Sequence, residues 1–223
     1  MDLALGSLIL TIILTSVVAG FVYGRNPKSD ITRSFLLLIT GFVLWALGEA
    51  FFYASTDLKV LFIADQLTYL FGLGTAWALL LFAIRFAFPW KANNFFLILF
   101  SLLTIIAAVL VFYPNAILVS VYSTPGGGRE IIHSNLFLLY MLPVLVLFIY
   151  SYVILWKKYV NAVGDMRLLI KYVIISSLVP VIAGSILSLG LLYFGIDQYQ
   201  VYGPIFTLFF TFSVAYLLVR SRN

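Results

Sequence analysis

Two acidic residues stand inside long hydrophobic stretches, where a carboxyl group has strong chemical consequences. Glu49 lies in FLLLITGFVLWALGEAFFYA, and Asp65 lies in VLFIADQLTYLFGLGTAWALLLFAIRF. A charged carboxylate facing hydrocarbon costs roughly 3 kcal/mol even on lenient insertion scales, so such groups normally face a bundle interior or a wet cavity. In that setting two acids can share a proton, bind a cation or hold the polar part of a ligand.

The stretches that carry these acids are predicted to be neighbouring antiparallel helices, joined by the short polar link Ser55–Lys59. At 1.5 Å per residue, Glu49 lies about 9 Å and Asp65 about 8 Å below the outer helix ends, which is nearly the same depth. Helical spacing places aromatic and polar side chains beside both acids. The predicted ligand-binding residues of this outer-side pocket are Glu49, Asp65, Trp45, Tyr53, Gln66 and Tyr69. The alternative is that each acid only bonds a neighbouring helix and thereby fixes helix packing.

The composition places these helices in a membrane. Of the 223 residues 64% are hydrophobic and 9% are charged, whereas soluble domains average about 25% charged residues. The apolar runs are too long and too uniform for the alternating strands of a barrel. The chain contains no cysteine, which excludes disulfides and thiolate metal sites. The net charge of +5 comes from short loops between apolar runs and does not indicate nucleic-acid binding.

The apolar runs predict a single membrane domain over residues 1–223, an all-α bundle of seven transmembrane helices. The predicted spans are 3–23, 35–54, 60–88, 95–113, 136–156, 168–194 and 204–220. The first span lacks a basic n-region, so we interpret it as an uncleaved helix and not a signal peptide. All Lys and Arg residues except Lys59 and Arg129 fall on one side of this arrangement. The positive-inside rule then places the N-terminus outside and the C-terminus in the cytoplasm.

Two features outside the acid pair also bear on the architecture. The loop after span four combines β-branched residues in Ala116–Ser123 with the turn sequence Thr124–Gly128, which predicts a small extracellular β-hairpin over the bundle. Pro180 lies near the middle of span six, where a proline is expected to bend the helix by more than about 20°.

The remaining chemistry is limited. His133 is the only histidine, and we interpret it as a solvated loop residue and not as a metal ligand. One histidine supplies neither paired haem ligands nor a multi-histidine zinc site. The last span has no lysine for a retinal Schiff base, and no phosphate-binding glycine loop is present. We therefore expect no enzyme activity, no metal and no cofactor.

The whole chain resembles the N-terminal seven-helix sensor region of bacterial and archaeal histidine kinases. The resemblance rests on SFLLLITGFVLWALGEAFFYAS, on FIADQLTYLFGLGTAWALLLFAIRF, on the hairpin loop, and on DMRLLIKYVIISSLVPVIAGSILSL with Asp197 and Pro204 after it. It implies a sensor fold of seven helices. That family usually continues into signalling modules, but these residues include no phosphoacceptor histidine segment and no ATP-binding motif. The chain is therefore expected to be a free-standing sensor with a separate partner, or an excised domain.

The sequence as a whole predicts a multi-pass cell-membrane sensor or receptor-like module. It would bind a small ligand, lipid or ion in the outer pocket and signal to a cytoplasmic or membrane partner. Membrane lipids are the other expected partners, nucleic acid is not, and a homo-oligomer is left open. One alternative is a proton- or cation-coupled transporter or channel, which would need a polar path through the bundle. Another is a structural subunit of a membrane complex.

Overall fold

The computed structural model of the protein describes residues 3–25, 27–86, 94–123, 129–191, 194 and 199–220. Within these ranges, seven helices are long and apolar enough to cross a membrane. The predicted all-α bundle of seven helices with a small β-hairpin is confirmed. In chain order the elements are α1 (Leu3–Arg25), α2 (Asp30–Ala54), α3 (Leu58–Arg85), α4 (Asn94–Phe112), β1 (Leu118–Ser123), β2 (Arg129–His133), α5 (Phe137–Asn161), α6 (Gly164–Ser185) and α7 (Thr207–Arg220).

The last two spans differ in detail from the continuous helices predicted at 168–194 and 204–220. After Ser185, α6 continues as one π-helical turn over Ile186–Gly190. Two short 3-10 turns, Gln200–Tyr202 and Pro204–Phe206, precede α7. Pro204 suits the first position of such a turn because its missing N–H has no partner there in any case. The C-terminal end of α6 and the N-terminal end of α7 are therefore built from irregular helical turns.

The helix pair α2 and α3 has the most extensive interface in the described part of the bundle. Ser29 caps α2 by accepting from the backbone N–H of Thr32, and Asp57 caps α3 by accepting from Lys59 at 2.8 Å. Between these two helices lie only residues 55–57. So short a connection forces α2 and α3 to be antiparallel neighbours.

A buried lysine joins α5 to the end of α3. Lys158 has no exposed surface, and its Nζ donates to the carbonyl oxygens of Ile84 and Phe86 at 2.8 and 2.7 Å. The last carbonyls of a helix have no intrahelical partner, and they carry the negative end of the helix dipole. Lys158 therefore caps α3 from a neighbouring helix. This structural role is separate from its place among the basic residues that predict the membrane orientation.

The hairpin forms as predicted. β1 pairs antiparallel with β2, in a register from Leu118 opposite His133 to Ser123 opposite Arg129, with an irregularity between Leu118 and Ser120. Leu118, Val121 and Ile131 are buried, and β1 packs on α3. The glycine-rich turn at 124–128 lies outside the described residues. The buried apolar face explains why this loop is ordered into strands that lie on the bundle.

Candidate functional site

Close packing of α2 on α3 brings the two membrane acids to one level. A Cβ atom at Gly48 would lie 3.2 Å from the Cα of Thr68, and one at Gly41 would lie 3.2 Å from the Cα of Thr75. Moving seven residues back along α2, from Gly48 to Gly41, moves the contact seven residues forward along α3, from Thr68 to Thr75. The antiparallel register is therefore constant over two helical turns. In that register Glu49 lies opposite a residue two positions from Asp65, a difference in depth of about 3 Å.

Both carboxyl groups are inside the protein. Glu49 is 0% exposed and Asp65 is 1% exposed, and the two lie close enough to repel each other when both are charged. The side chains of Trp45 and Gln200 face the Glu49 carboxyl group. Neither Glu49 oxygen has a hydrogen bond of standard geometry to a described residue. Glu49 therefore keeps hydrogen-bonding capacity that the described side chains do not fully use.

On the other side of the pair, Asp65 faces the Tyr69 side chain one turn further along α3. Tyr69 Oη lies 2.5 Å from His133 Nε2, and Tyr140 Oη donates to the Tyr69 carbonyl oxygen at 2.7 Å. The rings of Tyr69, His133, Phe137 and Tyr140 pack against one another with centroids 4.6–5.8 Å apart. We call these four residues the aromatic latch, since they fasten β2 of the hairpin to α3 and α5.

The interpretation of His133 as a solvated loop residue is therefore wrong. Its ring is partly buried in the latch, and this burial lowers the pKa of His133 from 6.5 to about 4. Desolvation disfavours the charged imidazolium, so His133 is neutral at physiological pH. The sequence could not reveal this environment, because it depends on a hairpin folding back onto two helices that are distant in the chain.

Below the acids lies a central cavity between α2, α3, α5, α6 and α7. The cavity has a volume of about 60 Å³, and the empty space rises to about 700 Å³ when its open mouth and the gaps between the lining atoms are included. Most of its wall is apolar, with polar groups from a few serines, threonines, tyrosines and Gln200. The lining residues are Leu38, Phe42, Trp45, Thr68, Tyr69, Gly72, Thr75, Leu79, Tyr140, Val144, Phe148, Ser177, Pro180, Val181, Gly184, Ser185, Ser188, Leu189, Gln200 and Phe210.

Of the six residues predicted for the pocket, two line the cavity, two stand behind the lining and two lie elsewhere. Trp45 and Tyr69 line the cavity, whereas Glu49 and Asp65 stand directly behind these lining side chains. Gln66 points away, because its Nε2 donates to the carbonyl oxygen of Val111 on α4 at 2.9 Å.

Tyr53 is partly buried on the side of α2 that packs with Ala4, Leu8 and Val201. Neither Tyr53 nor Gln66 is among the residues that line the cavity.

Sequence reasoning missed two residues that line the cavity, Gln200 beside Glu49 and Ser188 near the Trp45 ring. Ser188 is 8% exposed, and its Oγ has no hydrogen-bond partner among the described atoms. Gln200 is 3% exposed, although the sequence places it in a polar link between spans. A glutamine four residues before the start of a proline-led helix is a weak signal at best. No group of three or more His, Asp or Glu residues in the described ranges is arranged to hold a metal ion.

Comparison with known proteins gives one family. The model described as the N-terminal 7TM region of histidine kinase matches residues 7–221, which is nearly the whole chain. A search of curated proteins returned no match.

Proposed function

Because the chain belongs to the family of N-terminal seven-transmembrane regions of histidine kinases, it is a multi-pass membrane sensor module, and we propose that its signal is a small ligand bound in the outer half of the bundle. In this proposal Glu49, Asp65, Trp45 and Tyr69 form the polar end of the site, and the cavity below them takes the rest of the ligand. The response passes to a cytoplasmic or membrane signalling partner.

The observation that carries this proposal is the position of two buried acids directly beside an internal cavity. Burial of a carboxyl group without full hydrogen bonding is costly. Glu49 stands directly behind Trp45 and Gln200, two side chains that line the cavity, and this position supports a ligand-related role.

The element that connects such a site to the cytoplasmic side is α6. Ser177, Pro180, Gly184 and Ser188 line the cavity, while the helix begins at Gly164 on the predicted cytoplasmic side. Pro180 supplies no N–H to the helix, and the π turn that follows is of a kind often found at functional sites. A helix that is irregular beside the cavity and regular below it is suited to converting binding into movement.

Sensing is favoured over transport by what lies beneath the cavity. Phe35, Phe82, Phe86 and Phe210 are all at most 1% exposed and pack with ring centroids 5.0–6.4 Å apart. We call these four residues the aromatic layer. It packs α2, α3 and α7 together between the cavity and the end of the bundle where α2 begins and α3 ends, and its rings offer an ion no polar group.

The test is to fuse residues 1–223 to the catalytic modules of a histidine kinase and to measure autophosphorylation in membranes. Glu49→Gln and Asp65→Asn each remove one ionisable carboxyl group of the pair without a large change of shape. Both variants should therefore shift the basal output in the same direction, by at least about fivefold, the lower end of typical coupling between sites. The double variant should shift it by less than the product of the two single effects, because the residues form one unit.

Asp57→Asn is the matched control. It makes the same chemical change at an exposed position of the α2–α3 link, and asparagine preserves the helix cap. Its output should equal that of the unmodified fusion. Equal outputs from all of these variants would refute the proposed role of the acid pair in sensing.

A further inference from the structure

The chemistry of the cavity wall restricts what kind of molecule can fill it. Away from the hairpin, the wall is formed by side chains of Leu38, Leu79, Val144, Phe148 and Phe210. These are aliphatic and aromatic groups with no hydrogen-bonding atoms. The part of a ligand that lies there must be apolar, since a polar group would lose its water without gaining a partner.

Most hydroxyl groups in the wall are already committed to the protein. Thr68 Oγ1 donates to the carbonyl of Ala64, Thr75 Oγ1 to that of Phe71, and Ser177 Oγ to that of Val173, at 2.8–2.9 Å. Tyr140 Oη is used in the aromatic latch. A hydroxyl has only one hydrogen to donate. These residues therefore have no free donor for a ligand.

Hydrogen-bonding capacity remains at one end of the cavity, the end beside Glu49. Ser188 Oγ lacks a partner among the described atoms and is directed to the space between Trp45 and Gly203, where a Cβ at Gly203 would lie 2.6 Å from it. The interactions of Trp45 and Gln200 with Glu49 favour its carboxylate form, so both residues face Glu49 with N–H donors. The amide oxygen of Gln200 is then left as an acceptor at the same end.

The cavity is therefore amphipathic, and its polar end accepts more than it donates. Along α3 the lining extends from Thr68 to Leu79, a rise of about 16 Å. The two acids stand behind the polar end and make it unfavourable for an anion.

We propose that this cavity binds a small amphiphile with a single apolar tail and a hydrogen-bond-donating head group that is uncharged or cationic, such as an alkanol or an alkylamine. The head group donates to Gln200 and exchanges a hydrogen bond with Ser188, while the tail extends past Val144 toward the aromatic layer. This assignment rests on the proposed sensing function and specifies its ligand class. Carboxylate amphiphiles of the same length are excluded, because a third acid beside Glu49 and Asp65 would add to the repulsion that already acts between these two residues.

Trp45 provides the direct measurement, because its indole lines the polar end of the cavity. The chain has 4 tryptophans, so Trp77→Phe, Trp90→Phe and Trp156→Phe together leave Trp45 as the only one. In phosphatidylcholine vesicles, an n-octanol brominated next to its hydroxyl carbon should quench Trp45 fluorescence saturably. Unbrominated n-octanol and n-octylamine should relieve the quenching, and n-octanoate at the same concentration in the bilayer should not.

Two further variants locate the site. Val144→Phe fills the cavity and should abolish the saturable quenching, whereas Leu145→Phe adds the same ring at a position 38% exposed on the bundle surface and should leave it intact. Ser188→Ala removes one hydrogen bond and should weaken n-octanol binding by about two- to tenfold. Ser188→Ala changes little volume, so it tests the site even if the Val144→Phe protein does not fold.

A variant that keeps only Trp156, which is 59% exposed, reports simple partition of the probe into the bilayer. The proposal is overturned if the fluorescence quenching of Trp45 saturates no more clearly with probe concentration than that of Trp156. It is equally overturned if n-octanoate relieves the quenching as well as n-octylamine does. It is also overturned if Ser188→Ala leaves n-octanol binding unchanged. Absence of binding together with altered kinase output in the acid variants would refute this ligand class and leave the sensing function standing. Saturable n-octanol binding without any change of kinase output in the acid variants would support this ligand class and refute the proposed role of the acid pair in sensing.

Discussion

Tyr69 is the residue that connects the buried acids to the hairpin. Its side chain lies between Asp65 and His133, and its backbone carbonyl accepts from Tyr140. This one residue thus contacts the candidate site, the hairpin strand β2 and α5. A movement of Tyr69 on ligand binding would be transmitted to the hairpin through the contact with His133. A movement of the hairpin would reach the candidate site through the same contact.

The environment of His133 predicts a pH dependence. Its pKa is about 4 in the fold and close to 6.5 when unfolded. The unfolded chain therefore binds more protons between these values, and stability falls as the pH decreases from about 6.5 toward 4. Above about pH 6.5 the contribution is constant.

Thermal unfolding between about pH 7.5 and 5.5 measures this effect while most carboxylates stay ionised. The unmodified protein should lose stability over that range, and His133→Phe should lose less of it. Because the chain has 1 histidine, the difference between the two proteins is attributable to this ring. Identical pH profiles would show that the latch does not keep His133 neutral.

At the scale of elements, the α2–α3 pair depends on two glycines that face two threonines. Gly41 and Gly48 are separated by seven residues, as are Thr75 and Thr68, so both contacts recur on one face of each helix. Small residues let helix backbones approach closely in a membrane, where packing and not the hydrophobic effect drives association. The same approach determines the relative depth of Glu49 and Asp65.

Gly48→Ala should destabilise the protein by about 1–3 kcal/mol, the usual cost of overpacking. The added Cβ would lie 3.2 and 3.3 Å from backbone atoms of Thr68. Because backbone atoms cannot rotate away as a side chain can, the contact is relieved only if α3 moves. Gly74→Ala is the control, since a Cβ there has no heavy atom within 4 Å among the described residues. Thermal unfolding of the two variants compares them, and an equal effect would argue against close packing at Gly48.

A bend of α6 at Pro180 stays a prediction. The helix does become irregular close to this proline, where the π turn Ile186–Gly190 begins after Ser185. Gly184 and Gly203 accommodate the Trp45 ring beside this turn, at 3.1 Å from where their Cβ atoms would lie. The irregular end of α6 is thereby coupled to the polar end of the cavity.

At the scale of the whole molecule, the orientation in the membrane is the property that every functional statement depends on. The distribution of Lys and Arg predicts that the hairpin and the acid pair are outside. The chain has no cysteine, so single cysteines can be introduced without removing others. Lys59 and Lys157 are both exposed, at opposite ends of the bundle.

A membrane-impermeant maleimide should label Lys59→Cys in intact cells and Lys157→Cys only after the membrane is permeabilised. The physical reason is the cost of moving the basic loops across the membrane during insertion. Labelling of both variants after permeabilisation serves as the control for reactivity. The opposite pattern in intact cells would reverse the topology and place the candidate site on the cytoplasmic side.

The sequence by itself determined the membrane class, the seven helices, the hairpin and the family resemblance. Each of these depends on local composition: a run of about 20 apolar residues must form a helix in hydrocarbon, and β-branched residues around a glycine-rich turn favour paired strands. The similar depth of Glu49 and Asp65 also followed from the number of residues between each acid and the α2–α3 link. So short a link leaves the two helices little freedom to shift in register.

Only the tertiary structure decided which side chains surround the acids. Gln200, Ser188 and His133 reach the site from α6, its following turns and the hairpin, more than 60 residues along the chain from Tyr69. Gln66, adjacent to Asp65 in sequence, is directed instead to α4, and Lys158 caps α3 from α5. Hydrophobic periodicity shows that a helix has a buried face, but the partner of that face depends on how all seven helices pack together.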